Sequence, residues 1–263
     1  MSWYENGYLL LSGQADIVAK LTEAAALQKQ MGLPDVHVLD DKQIQELSPW
    51  LGTDGILGAT YTPKDGKVTS TEGVAAPAKA ARSRGVRIRE HWLVTSLARS
   101  GKSWSVVGPE TITADRVVVC TGYWSTDLLQ QFGFQLTIRP VPLYSAITEP
   151  ALQGELVPLT IDLDTGLLIE RESGGLLIAI ALDENPPGYG HAQMLDQFAE
   201  PARVRAPSLA DVGIAKHVVA SVDMGGDGHP YLGLVEDGLW MLAGFGGHGV
   251  MHGPPRRRNC WRG

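Results

Sequence analysis

Cysteine is nearly absent. Cys120 and Cys260 are the only two among 263 residues, the first in an apolar run and the second in an arginine-rich tail. That argues against a disulfide framework and makes a reducing cytoplasm the default compartment. Long hydrophobic runs are missing too. No stretch approaches the ~18 apolar residues that a membrane span needs. Met1-Ser-Trp-Tyr-Glu-Asn-Gly7 lacks the basic start of a secretory leader. Positive charge is in deficit: 22 Lys and Arg against 29 Asp and Glu leave a net charge of −7. No basic cluster lies outside the last few residues, so nucleic acid is not an expected partner. His217, His229, His248 and His252 lack the spacing, and the nearby Cys or paired carboxylates, of a metal site. No internal repeat or low-complexity segment stands out. With 44% apolar and 19% charged residues, what remains is an ordinary globular chain, long enough for one large domain or two small ones.

Glycine, by contrast, is plentiful and crowds near the end. Leu239-Trp-Met-Leu-Ala-Gly-Phe-Gly-Gly-His-Gly-Val-Met-His-Gly-Pro254 begins as an apolar strand and runs into a glycine-rich turn. It then reads as the first turn of a helix. Such a turn bares backbone N–H groups at the positive end of a helix and suits an anion. Its glycines admit a flat ligand close to the backbone, since no Cβ intervenes. Gly244, Gly246 and Gly249 spell G-x-G-x-x-G. The dinucleotide fingerprint, however, needs a second strand and an acidic residue about 20 positions further on, and the sequence ends at Gly263. A pyrophosphate turn is therefore not expected. Between a ligand turn and a plain strand–helix corner, the density of glycine alongside His248 and His252 favours the ligand.

Elsewhere the apolar pattern alternates between strand and helix. Tyr8–Leu11 reads as a short buried strand. Ile17, Val18, Leu21, Ala24, Ala25 and Leu27 fall at helical spacing between Gln14 and Met31, and Gly32 and Pro34 end the pattern. A short helix is expected over Asp40–Leu47, then a turn around Asp65-Gly66. A third helix should run from Ser70 to Arg84, with Pro77 kinking it or delaying its start. Short strands follow at Val86–Arg89, Val94–Leu97, Trp104–Val107 and Arg116–Cys120. The last is a continuous apolar run, suited to burial on both faces of a parallel sheet. Ser125 is placed to cap a helix over Thr126–Phe132. From Gln135 the period shortens to that of strands. These are Leu136–Tyr144, Ala146–Thr148, a hairpin around Ser173-Gly-Gly175 and Val218–Val222, with helices at His191–Phe198 and Ser208–Ile214. The fold class is α/β of a mixed, α+β kind: a doubly wound domain beside an antiparallel sheet.

Three of these stretches carry a family resemblance. Ala243-Gly-Phe-Gly-Gly-His-Gly-Val-Met-His-Gly-Pro254 resembles the C-terminal flavin-contacting segment of the D-amino-acid oxidase-like FAD-dependent oxidoreductases. The branch is that of glycine and sarcosine oxidases and the proline dehydrogenase β-subunit. Asp223-Met-Gly-Gly-Asp-Gly-His-Pro-Tyr-Leu-Gly233 resembles the group's strand and turn ending in Asp-x-x-Pro-x-x-Gly. Thr121-Gly-Tyr-Trp-Ser125 matches its Gly-x-Trp-Ser corner. The resemblance implies FAD as cofactor. Thr121, Gly122, Trp124, Gly246, Gly247, His248, Gly249 and Met251 would lie beside the flavin, and the backbone of Val94 at the adenine. The reaction implied is oxidation of a C–N bond in a small amine or amino acid such as sarcosine, glycine or proline, by hydride transfer to flavin. The resemblance also divides the chain. Residues 1–58 belong to the substrate domain and its connections, 59–134 to the FAD domain, 135–225 to the antiparallel substrate domain, and 226–263 to the C-terminal part of the FAD domain with an aberrant tail.

Family members open with a strand–G-x-G-x-x-G–helix unit and an acidic residue for the ribose, and this sequence shows neither. The resemblance thus implies an N-terminally truncated chain, or one that takes its nucleotide-binding half from a partner chain. A non-catalytic fragment or partner-dependent subunit, unable to hold FAD alone, is the alternative. A sheet without its first βαβ unit would leave an apolar face and a strand edge bare. The tail Arg256–Gly263 replaces a Leu- and Ala-rich helix of the family. Regrouping its codons by one base gives Lys, Gln or Glu followed by Leu-Leu-Ala, which points to a frameshift near Pro255. Relatives that bind a substrate carboxylate use an arginine where this chain has Leu168, Glu170 and Val222. Arg171 should point to the opposite face of its strand. A carboxylate substrate is therefore not expected, and no catalytic residue is singled out. For His248, a charge or hydrogen bond to the flavin and a role in stiffening the turn both remain open, whereas His252 is expected to pack.

Overall fold

The computed structural model describes residues 3–181 and 199–252. It divides into two compact units, each built from two stretches of chain: Met1–Arg87 with Leu143–Ala220, and Ile88–Pro142 with Ser221–Gly263. The chain begins with β1 (Tyr4–Glu5), β2 (Tyr8–Ser12), α1 (Ala15–Gln30), β3 (His37–Leu39) and α2 (Asp41–Leu47). Next come β4 (Gly58–Thr62), β5 (Gly66–Lys67) and α3 (Ser70–Arg82). A meander of β6 (Ser96–Ser100), β7 (Ser103–Val107) and β8 (Thr111–Ala114) leads to β9 (Val117–Val119) and α4 (Ser125–Leu129). The remaining strands are β10 (Arg139–Thr148), β11 (Leu159–Asp162), β12 (Leu167–Glu172), β13 (Gly175–Ala181), β14 (Ile214–Met224), β15 (Tyr231–Glu236) and β16 (Leu239–Ala243). A helix over 199–205, α5, precedes β14.

The first unit is organised on an eight-stranded sheet of order β14–β10–β13–β12–β11–β2–β4–β3. Strand alternation puts Leu9, Leu11, Leu167, Ile169, Leu176 and Ile178 on one face. There they form a core with Ile44, Trp50 and Leu51. The β12–β13 hairpin turns on Ser173 and Gly174 at φ +51° and +83°, the two positive values that match a tight turn to the strands' twist. Helix α2 opens with a reciprocal cap: Asp40 accepts from the Gln43 amide at 2.9 Å and the Gln43 side chain accepts from the Asp40 amide at 3.0 Å. Helix α1 lays Ile17, Val18, Leu21 and Ala25 inward, while Leu27 of the expected stripe is exposed. Helix α3 starts at Ser70 and continues through Pro77, so proline does not delay it. It buries no residue.

Beneath the sheet, Arg205 donates from Nε to Asp162 at 2.7 Å, and both residues are buried. Its Nη1 reaches the Asp54 carbonyl at 2.8 Å, and its own carbonyl accepts from the Gly52 amide at 2.8 Å. The second oxygen of Asp162 takes the Asp164 amide at 2.9 Å. This pair ties α5 to β11 and to the 52–54 loop.

The second unit holds two three-stranded sheets, β6–β7–β8 and β15–β16–β9. Trp104, Leu129, Leu239, Met241 and Ala243 lie in its core. The Trp104 indole donates to the Asp237 carbonyl at 3.1 Å. Strand β9 is not buried on both faces, contrary to its apolar run. Val119 is 4% exposed but Val118 is 55% exposed. Leu234 and Trp240, level with Val118 across the sheet, are exposed as well.

Several expected elements differ. Val86–Arg89 is not a strand, because the Val86 amide closes α3 by bonding the Ala81 carbonyl at 3.1 Å. Ser208–Ile214 holds only a 3-10 turn over Pro207–Leu209, and the Gly213 carbonyl is taken by the Glu149 amide at 2.7 Å. Ser125 does not cap α4. Strands β1, β3, β4, β5, β8, β11 and β15 are not among the expected elements. The helix expected at His191–Phe198 and the tail beyond His252 lie outside the described residues. Replacing Asp162 by Ala strands a buried guanidinium and should cost about 3–5 kcal/mol, read as a lowered urea midpoint. A loss no larger than that of a surface substitution would show that the pair does not hold this unit together.

Candidate functional site

The site forms where two strands run parallel. β16 pairs with β9, Leu239 opposite Val117 and Met241 opposite Val119, so both strands end on the same side. Beyond β9 lies Thr121-Gly122, and beyond β16 lies Gly244. Ligands of open α/β sheets sit at such carboxyl ends. Both exits turn on positive φ: Gly122 at +56°, Gly244 at +77°, Gly246 at +57° and Gly247 at +85°. A Cβ on Gly246 would also stand 2.9 Å from the Met224 sulfur.

Asp223, at the end of β14, joins the two exits. Its carboxylate accepts the Gly244 amide at 2.8 Å and its carbonyl accepts the Gly246 amide at 2.9 Å. A Cβ built on Gly122 would lie 3.6 Å from the same carboxylate oxygen. Asp223 is not among the residues singled out from sequence. Its one signal is an acidic side chain heading the run Asp223-Met-Gly-Gly226, where two flexible peptides need an anchor.

Of the residues singled out from sequence, Gly122, Gly246 and Gly247 are thus brought to one place. Thr121 Oγ1 and Ser125 Oγ share a hydrogen bond of 2.9 Å across the corner. Trp124 is exposed and leans on Tyr123, ring centroids 4.1 Å apart. His248, Gly249 and Met251 are exposed on the turn. The His248 amide bonds the Phe245 carbonyl at 2.9 Å, and the His252 amide bonds the His248 carbonyl at 3.3 Å. Only this turn, and no helix, follows Gly249 among the described residues. The His252 ring faces Phe245 at 6.3 Å. Val94 packs half-buried against the core of the second unit, just ahead of β6, and no described contact joins it to the glycine turns.

Among the described residues, the amides of Gly247, Gly249 and Val250 meet no acceptor. Space beside Gly247 is open. Bare amides beside side-chain-free backbone fit a flat cofactor with an electron-rich edge. No group of three or more potential metal ligands occurs among the described residues, and no described helix is long and apolar enough to cross a membrane.

In the first unit, Lys67 lies between two carboxylates, 2.7 Å from Glu172 and 3.7 Å from Glu170. It also donates to the Arg171 carbonyl. Arg171 turns to the opposite face and donates to the carbonyls of Ala151 at 2.6 Å and Leu152 at 2.5 Å. Burial pushes the Glu170 carboxyl up; Lys67 opposes that and Glu172 adds to it.

The chain belongs to the FAD dependent oxidoreductase family, whose model matches residues 1–255. It is 27% identical over 244 residues to the mitochondrial dimethylglycine dehydrogenase of Rattus norvegicus, a match covering 82% of this chain and 28% of that protein. It is 26% identical over 257 residues to the glycine oxidase of Geobacillus kaustophilus, covering 95% of this chain and 67% of the relative. The L-proline dehydrogenase structure from P. horikoshii superposes with a TM-score of 0.85 at 22% identity, over 95% of this chain and 69% of that one. The mixed α/β fold expected from sequence is shared with these FAD-dependent proteins.

Two outcomes follow. Gly246→Ala should lower stability by about 1–2 kcal/mol through its left-handed backbone alone, and more through the Met224 clash. Gly249→Ala, with an ordinary φ and only van der Waals contact to Phe245 at 3.6 Å, should melt like wild type. Equal melting of both variants would count against the turn as described. For Glu170, a raised folded pKa means the folded state keeps the proton to higher pH than the unfolded chain. Stability from this group is therefore greatest at low pH and declines as pH rises from about 4.3 through the raised value. Glu170→Gln should melt like wild type below that window and above wild type beyond it; a variant less stable at neutral pH would show that the Lys67 pairing outweighs burial.

Proposed function

We propose that this chain oxidises a C–N bond of a small amine or amino acid, with hydride passing to FAD held at the Gly122 and Gly244–Gly249 turns. The observation that carries this reading is the meeting of two positive-φ glycine exits at the carboxyl ends of parallel strands, in a chain of the FAD dependent oxidoreductase family. FAD, when bound, supplies the hydride acceptor. The chain's own contribution is placement. The free amides of Gly247, Gly249 and Val250 stabilise negative charge without reorganising. His248 adds a donor at the mouth of the turn. Thr121, tied to Ser125, keeps the β9 exit narrow, and the exposed Trp124 ring offers an apolar wall. Val94 would approach the adenine through its backbone.

Substrates of the named relatives suggest sarcosine-, glycine- or proline-like amines. Here, however, Glu170 stands where a carboxylate-binding arginine would be, and Arg171 is spent on loop carbonyls. That supports simple amines over amino acids. A second reading, a chain that needs another polypeptide to complete its nucleotide site, draws support from the exposed apolar row Val118, Leu234 and Trp240.

An absorbance spectrum of the purified chain, before and after adding FAD and desalting, tests the first reading. Retained yellow colour, bleached anaerobically by an N-methylated amine at least as fast as by sarcosine, is the expected result. A colourless chain that takes up no FAD sinks it and leaves the second.

A further inference from the structure

We propose that Asp223 is the positioning residue of the flavin site, a role that rests on the flavin reading above. Asp223 acts on the same turn with both of its acceptors. Its carboxylate holds the Gly244 amide and its carbonyl the Gly246 amide, at 2.8 and 2.9 Å. These peptides flank Phe245, which also forms an isolated bridge with Met224. Beyond Ala243 the strand ladder stops, and with φ at +77° and +57° the Gly244 and Gly246 amides leave any β or helical pattern. Buried amides without partners would cost stability, and Gly244 is buried. The bond to an ionised carboxylate is about twice as strong as a neutral one.

The clamp also sorts the turn's donors. Asp223 takes Gly244 and Gly246, and Phe245 takes His248. The amides of Gly247, Gly249 and Val250 are thereby left free among the described residues. The carboxylate that fixes this choice also faces Gly122 at the neighbouring exit, so one side chain sets the spacing of both glycine corners. A ligand lying across them meets amides whose direction Asp223 has fixed beforehand.

The test uses the whole chain with Asp223→Ala and Asp223→Asn, the latter keeping an acceptor oxygen. FAD binding is followed by fluorescence quenching, the 243–250 amides by hydrogen exchange, and global stability by thermal melting. Losing one charge-assisted bond should weaken FAD binding by about tenfold in Asp223→Ala. Exchange should speed up in 244–249 while the β12–β13 hairpin exchanges as in wild type. Asp223→Asn should bind FAD within about threefold of wild type. Wild-type FAD affinity in Asp223→Ala overturns the proposal and leaves the flavin reading standing. Equal loss in both variants also overturns it, since charge and not hydrogen-bond placement would then be at work. Should Asp223→Ala fail to fold, Asp223→Asn alone decides: near-wild-type binding supports the role and loss overturns it. Wild-type protein that takes up no FAD refutes the flavin reading itself, and this role with it.

Discussion

Parallel pairing between β9 and β16 is the constraint on which the site depends. An antiparallel pair can be closed by a local turn, whereas parallel neighbours must arrive from distant stretches of chain. Here the register that sets Trp240 beside Val118 also decides that Gly122 and Gly244 emerge side by side. The proposed flavin site rests on that coincidence of exits. A slip by one residue would turn Leu239 and Met241 out of the core and separate the two glycine corners.

Legibility from sequence tracked how local each determinant is. The Ser173-Gly174 hairpin, the short helix α2 and the bounds of α1 depend on neighbours within a few positions, and they were readable. Strand β3 was not, because His37–Leu39 is a strand only by virtue of β4 beside it. Val86–Arg89 has a strand's alternation, yet its first amide is already committed to the helix before it. The glycine turn itself was readable. Its anchor was not, since Asp223 lies 21 positions from Gly244 and nothing in the intervening text marks the contact. The Gly-x-Trp-Ser corner suggested a capping serine; the hydroxyl instead bonds Thr121, a choice set by how tightly the corner closes.

The first unit shows how charge is handled on a largely apolar sheet. One lysine serves two glutamates, and an arginine next to them in sequence is consumed by loop carbonyls. Both cations are thus engaged by groups of the chain itself. The family relationship is to FAD dependent oxidoreductases, and the bonding around Lys67 and Arg171 is what motivates the simple-amine proposal within it.

The parallel β2–β11 pair has a consequence for how the polypeptide comes into being. Gly13 and Asp164, hydrogen-bonded at the end of that pair, are separated by 151 positions. At ribosomal speeds of about 5–20 residues per second, the early strand waits roughly eight to thirty seconds for β11. During that interval β2 can pair with the nearer β4, but the edge that β11 will cover stays open. An open strand edge can pair with another chain, so the order in which β4 and β11 arrive bears on aggregation during synthesis.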